Sequence, residues 1–117
     1  MIGYLLQHSP QDRNGFEVFF ERCLFGLKSD PQAWVFLRGD GIYQGLKAQR
    51  LDEPGFTVPV AGGWNALLAR GVKLYLNKRC SQLRGFHEEQ FFLPEAEFAN
   101  LDLLARLSLQ SERVVVL

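Results

Sequence analysis

Cys80 carries the chemistry of widest reach in this sequence. It follows the apolar run at residues 72–76, with Lys78 and Arg79 just before it and Arg84 just after. The segment Ser81-Gln82-Leu83-Arg84 is long enough for one helical turn. A nearby cation or a helix N-terminus favours thiolate over thiol, and the thiolate is the nucleophile. Such a sulfur can attack a sulfane or disulfide sulfur. The alternative is a small buried apolar residue, which is how many free cysteines behave. Cys23 sits on one helical face with Phe16, Phe20 and Leu27 and belongs to the core.

Three other residues have types that do chemistry. His8 ends the first apolar run and is either a base or ligand, or a satisfied, partly buried imidazole. Asp40 lies in Gly39-Asp40-Gly41, which has neither the dinucleotide fingerprint nor the P-loop lysine pattern. Two glycines there suit a tight turn, and Asp40 is placed to cap a helix starting near Ile42. His87 neighbours Glu88 and Glu89 in what reads as a solvated turn. Ser9 has no nucleophile elbow around it, so a serine hydrolase is disfavoured. Two histidines and two scattered cysteines show no metal-ligand spacing, and no metal or cofactor is expected.

Elements of regular structure must bring such residues together. Runs at residues 2–7, 33–37, 72–76 and 113–117 read as strands; the first two and the last are nearly continuous in apolar residues, of the kind covered on both faces in parallel sheets, and the third carries Lys73 near its start. Helical patterns separate them. Asn14-Gly15-Phe16-Glu17 resembles a capping box, followed by Phe16, Phe19, Phe20, Cys23, Leu24 and Leu27 on one face. Ser29-Asp30-Pro31 ends that helix. A second helix follows Gly62-Gly63 with Trp64, Leu67 and Leu68 inward, and Gly71 terminates it. A third begins after Asn100 and carries Leu101, Leu103, Leu104 and Leu107. Phe91-Phe92-Leu93 offers a short fifth strand, whereas residues 48–61, with Pro54, Gly55 and Pro59, form an aperiodic loop. The alternation of strand and helix predicts a single-domain, mostly parallel open α/β sheet across residues 1–117. Ligands of such sheets bind beyond the carboxyl ends of the strands. Those ends are Gln7-His8-Ser9-Pro10, Arg38-Gly39-Asp40-Gly41 and Asn77-Lys78-Arg79-Cys80.

Composition narrows the function. Of 117 residues, 47% are hydrophobic and 13 acidic residues balance 13 basic ones. Phosphate-backbone binding needs a basic field or stripe, which this balance does not supply, so no nucleic-acid partner is expected. No apolar stretch approaches the ~20 residues that span a bilayer, and the N-terminal run reads as a strand without signal-peptide flanks. With few cysteines, a reducing, cytoplasmic setting is expected. On the first helix, Val18 and Phe25 lie away from the core face among Glu21 and Arg22. Exposed apolar side chains there predict a homo- or hetero-oligomer.

In their order and spacing, these segments resemble the DsrE-like family of small sulfur-relay proteins, which includes DsrE, DsrF, DsrH and the Tus subunits. The resemblance rests on the first strand into Gln7-His8-Ser9-Pro10, the helix near Asn14-Gly15 and the passage from Phe36 to Tyr43. It continues through Leu67 to Leu76, Cys80 with Arg84-Gly85, and the apolar final run. It implies a five-stranded, mainly parallel sheet, trimers or hexamers, and a cysteine that carries persulfide sulfur between donor and acceptor proteins. In many members the carrier stands eight positions before the glycine of the Arg-Gly pair, which here is Asn77; Cys80 matches the second cysteine of a C-x-x-C pattern. The resemblance thus implies a relay on Cys80, with His8, Asp40, Asn77, Arg79 and Arg84 shaping its pocket, or a subunit that carries no sulfur. A small-ligand binding protein using His8, Ser9 and Asp40 is a third reading.

Overall fold

The computed structural model describes residues 1–47 and 60–117. Five strands form one sheet: β1 (Ile2–Leu6), β2 (Ala33–Leu37), β3 (Lys73–Asn77), β4 (Ala96–Ala99) and β5 (Arg113–Val116). Their spatial order is β4-β3-β2-β1-β5, and every neighbouring pair is parallel. The sheet expected to be mostly parallel is wholly so. Among the described residues, four α-helices connect the strands: α1 (Arg13–Ser29), α2 (Val60–Ala69), α3 (Lys78–Leu83) and α4 (Leu101–Gln110). Short 3-10 helices occupy Gly39–Gly45 and Glu89–Phe91.

Alternation along the strands sorts side chains between two faces. Ile2, Tyr4, Leu6, Val35, Leu37, Leu74 and Leu76 share one core with Phe16, Phe19 and Cys23 of α1 and Trp64 and Leu67 of α2. Phe19 and Trp64 pack with tilted rings, 5.3 Å between centroids, fixing α1 against α2. Full burial of an aromatic or aliphatic side chain of this size contributes about 1.5–3 kcal/mol. Trp34 and Phe36 face the opposite side, where the Trp34 indole N–H donates to Ser111 Oγ at 2.8 Å, just past α4.

Several sequence expectations shift by a few residues. α1 is capped by Asp12, whose Oδ1 accepts from Gly15 N at 3.0 Å, and not by Asn14, which lies inside the helix. An aspartate two residues earlier supplies the same acceptor, so a cap read from residue type alone slides. The fifth strand lies at Ala96–Ala99 rather than at Phe91-Phe92-Leu93. Phe92 instead forms an isolated antiparallel bridge to Leu46 and buries its ring against Phe86 and Phe98. Its apolar character reflected a core contact, not a strand. Asp40 does not cap an α-helix, because Gly39–Gly45 is a 3-10 helix that starts after Arg38 without a side-chain cap. β3 begins at Lys73 and includes Asn77. Gly71, at φ +86°, is the left-handed terminator of α2 as expected. Of the aperiodic loop at 48–61, residues 48–59 lie outside the described residues, and Val60 and Ala61 belong to α2.

Candidate functional site: a basic cleft around Cys80

The register of β3 against β4 sets the site. Asn77 pairs with Ala99, so the two strands end side by side and each passes into a helix at once. Asn77 caps α3: its Oδ1 accepts from Cys80 N at 2.9 Å. Asn100 caps α4 in the same way, accepting from Leu103 N at 3.3 Å. Asn77 is buried, and its carbonyl also accepts from the buried Ser81 hydroxyl at 3.0 Å. The first turn of α3 is thereby fixed to the strand end, and Cys80 sits in that turn.

Between α3 and the start of α4 runs a cleft of about 620 Å³. Cys80 lines it together with Asn77, Arg79 and Lys78, Arg38 from the end of β2, and Asp102 of α4. Cys80 is half-buried and packs partly against the core. Arg38, Lys78 and Arg79 are exposed and form no ion pair with a described residue, so three cations face one carboxylate, Asp102, across the cleft. The protein as a whole carries no net charge, so this local excess of positive charge is a property of the cleft. Leu83, 73% exposed, and Leu101, 49% exposed, add apolar walls.

Arg84 and Asp40 belong to a bracket and do not line this cleft. Arg84 Nη1 donates to the Cys80 carbonyl at 3.2 Å, and Nη2 donates to Asp40 Oδ1 at 2.9 Å. The same guanidinium lies 6.0 Å from the centre of the Tyr43 ring. Arg84 therefore ties the far end of α3 to the 3-10 helix after β2. Its effect on Cys80 runs through the backbone.

His8 is apart from the cleft as well. Its backbone carbonyl accepts from Gln44 Nε2 at 3.3 Å, and its ring lies against Gly15, where a Cβ would approach His8 Cδ2 to 2.9 Å. His8 Nε2 and Gln44 Oε1 are buried and make no hydrogen bond with a described residue. Gly41 is equally constrained, because a side chain there would collide with the Leu6 carbonyl at the end of β1.

The structure thus brings Cys80, Asn77 and Arg79 together, joins Asp40 to Arg84 beside them, and sets His8 elsewhere. It adds Arg38 and the α4 residues Leu101 and Asp102, which sequence spacing did not connect to Cys80. Asn100 was legible as a helix start, but its place beside Cys80 depends on the β3–β4 pairing. Among the described residues, no three His, Cys, Asp or Glu side chains gather as metal ligands. No helix among them is long and apolar enough to cross a membrane.

Compared with known proteins, the sequence pattern of the DsrE/DsrF-like family matches residues 2–117. Among solved structures, the crystal structure of the ychN protein from E. coli matches with a TM-score of 0.79 at 18% identity. The match covers 99% of this chain and 97% of that one, and at such identity it speaks for the fold alone. No curated protein matches significantly.

Proposed function

We propose a sulfur-carrying role on Cys80 for this chain, which belongs to the DsrE/DsrF-like family. The observation that carries the proposal is the setting of that sulfur. It is half-buried, at the carboxyl edge of a parallel sheet, in a cleft where, among the described residues, cations outnumber carboxylates. Sulfane sulfur is commonly passed between anionic species, which such a cleft attracts.

The chemistry balances without any redox partner. The Cys80 thiolate attacks the outer sulfur of a protein persulfide, the donor's S–S bond breaks, and the donor thiolate leaves. Cys80 then holds the persulfide. A thiolate on the acceptor protein attacks the terminal sulfur, the new S–S bond breaks in turn, and the Cys80 thiolate is restored. Both cysteines of the chain are free, which suits work in a reducing, cytoplasmic compartment.

Intact mass after incubation with a persulfide donor tests this. The wild-type chain should gain one sulfur atom, which a reductant removes, and Cys80→Ser should gain none. An unchanged wild-type mass would overturn the proposal.

A second reading, a subunit that carries no sulfur itself, draws on Asn77. The position at which the resemblance places the carrier is here a buried cap, committed to Cys80 N. Under that reading Cys80 resists alkylation in the folded protein.

A further inference from the structure

Asn77 carries a polar group that the fold leaves unused. A carboxamide has one acceptor oxygen and an NH2 with two donors. Oδ1 accepts from Cys80 N at 2.9 Å, which fixes the oxygen and nitrogen ends of the group. The Asn77 carbonyl is taken by the Ser81 hydroxyl. Nδ2 donates to no described residue. The residue is only 5% exposed, yet it lines the cleft with Cys80. Side chains on a helix lean toward its N-terminus, so Cys80 projects back toward this cap.

The surroundings offer that donor little. Asn100 Oδ1 is taken by Leu103 N, and the side chains of Arg38, Lys78 and Arg79 only donate. No second thiol of the chain can reach the site either, because the other cysteine, Cys23, is fully buried in the core. A thiol in place of Asn77, whose side chain reaches residue 80, could attack Sγ of a Cys80 persulfide, break its S–S bond, expel hydrosulfide and close a disulfide. A carboxamide does none of this.

We infer that Asn77 holds the cargo: Nδ2 donates to the terminal sulfur of a persulfide on Cys80, and the same residue leaves that persulfide no internal exit. The inference rests on the sulfur-carrying reading of Cys80. Once its proton has passed to solvent the terminal sulfur is an anion, and a hydrogen bond to an anion is the stronger kind. In that form it repels stray thiolates. Release needs a partner's thiol that enters the cleft and bonds the terminal sulfur, while the electron pair of the old S–S bond returns to Cys80.

The full-length chain tests this after loading with glutathione persulfide, removal of the excess and addition of glutathione, with intact mass followed over time. Asn77→Asp and Asn77→Ser keep a cap oxygen and should match the wild type in denaturant unfolding. Both lack the carboxamide donors and should lose the added sulfur at least about tenfold faster. Asn77→Cys should discharge it as hydrosulfide and form a disulfide with Cys80. In a nitrogen-15 spectrum of the wild type, the Asn77 side-chain amide signals should shift on loading and return on unloading. A loaded wild type whose Asn77 signals stay put overturns the inference alone, as do capped variants that keep sulfur as long as the wild type, or a loaded Asn77→Cys that keeps it. A wild type that takes up no sulfur overturns the sulfur-carrying reading and this inference with it. Should the variants fail to fold, the wild-type amide spectrum decides.

Discussion

The molecule holds two free thiols in contrasting settings. Cys23 faces inward from α1, fully buried beside Phe19 and Tyr4, and burial pushes its pKa up to about 12. Burial is what raises it, and no described residue offsets that burial, so it behaves as a small apolar side chain. Cys80 stands in the first turn of a short helix, half-exposed, on a cleft shared with Arg38, Lys78 and Arg79. The same atom type is filler in one place and half-exposed on a cleft in the other. Reactivity follows from exposure and local charge, not from the residue type.

The sharpest way to break this contrast is alkylation of the native protein. One cysteine should react, and peptide mapping should place the label on Cys80, with Cys23 labelled only after denaturation. Labelling at Cys23 in the native state, or at neither site, would erase the distinction. Substitution should separate the two thiols next. Cys23→Ser places a hydroxyl in the apolar core and should cost about 1–3 kcal/mol in denaturant unfolding, while sulfur loading per folded molecule stays unchanged.

Alkaline pH probes the same pair. Unfolded, the Cys23 thiol ionises near its ordinary value of 9.0, whereas folded it keeps its proton up to about 12. Between those values the unfolded chain has lost a proton that the folded chain retains, so stability falls as pH rises. Tyr4, raised by burial from 10.0 to about 12, steepens the fall above pH 10. Below pH 9 neither group contributes a slope. Cys23→Ala should flatten the onset of that decline, and a denaturation midpoint followed from pH 8 to pH 11 reads it directly.

On the Cys80 side, the effects are smaller and concern position. Asn77→Ala removes the α3 cap and should cost about 1 kcal/mol. It should also slow sulfur loading by freeing the turn that holds Cys80, and Asn77→Asp should restore stability. Arg84→Ala releases an exposed ion pair and a guanidinium–aromatic contact, with a stability loss of about 1 kcal/mol or less. A stability loss near zero for Asn77→Ala would show that the cap is not what fixes the cleft.

Much of this was legible in the chain alone. The strands at residues 2–7 and 33–37 lie within a residue of β1 and β2, since continuous apolar runs between turn residues leave little choice of element. The core role of Cys23 followed from its helical phase with Phe16 and Phe19. Gly71 was fixed by the need for a left-handed residue between α2 and β3. Exposure of Val18 and Phe25 was equally readable from their phase. Local signals of these kinds involve residues a few positions apart, and the sequence by itself determined them.

Other features depended on contacts between distant segments. The neighbours of Cys80 across the cleft, Leu101 and Asp102, come from the helix after β4 and meet it only because Asn77 pairs with Ala99. Asp40 and Arg84, far apart in the chain, are joined by the fold. His8, at a strand end like Cys80, does not line the cleft, because β2 lies between β1 and β3 in the sheet. Sequence periodicity reports which face a residue presents. Only the pairing of strands decides which faces and ends become neighbours, because that choice is settled by packing across the whole sheet.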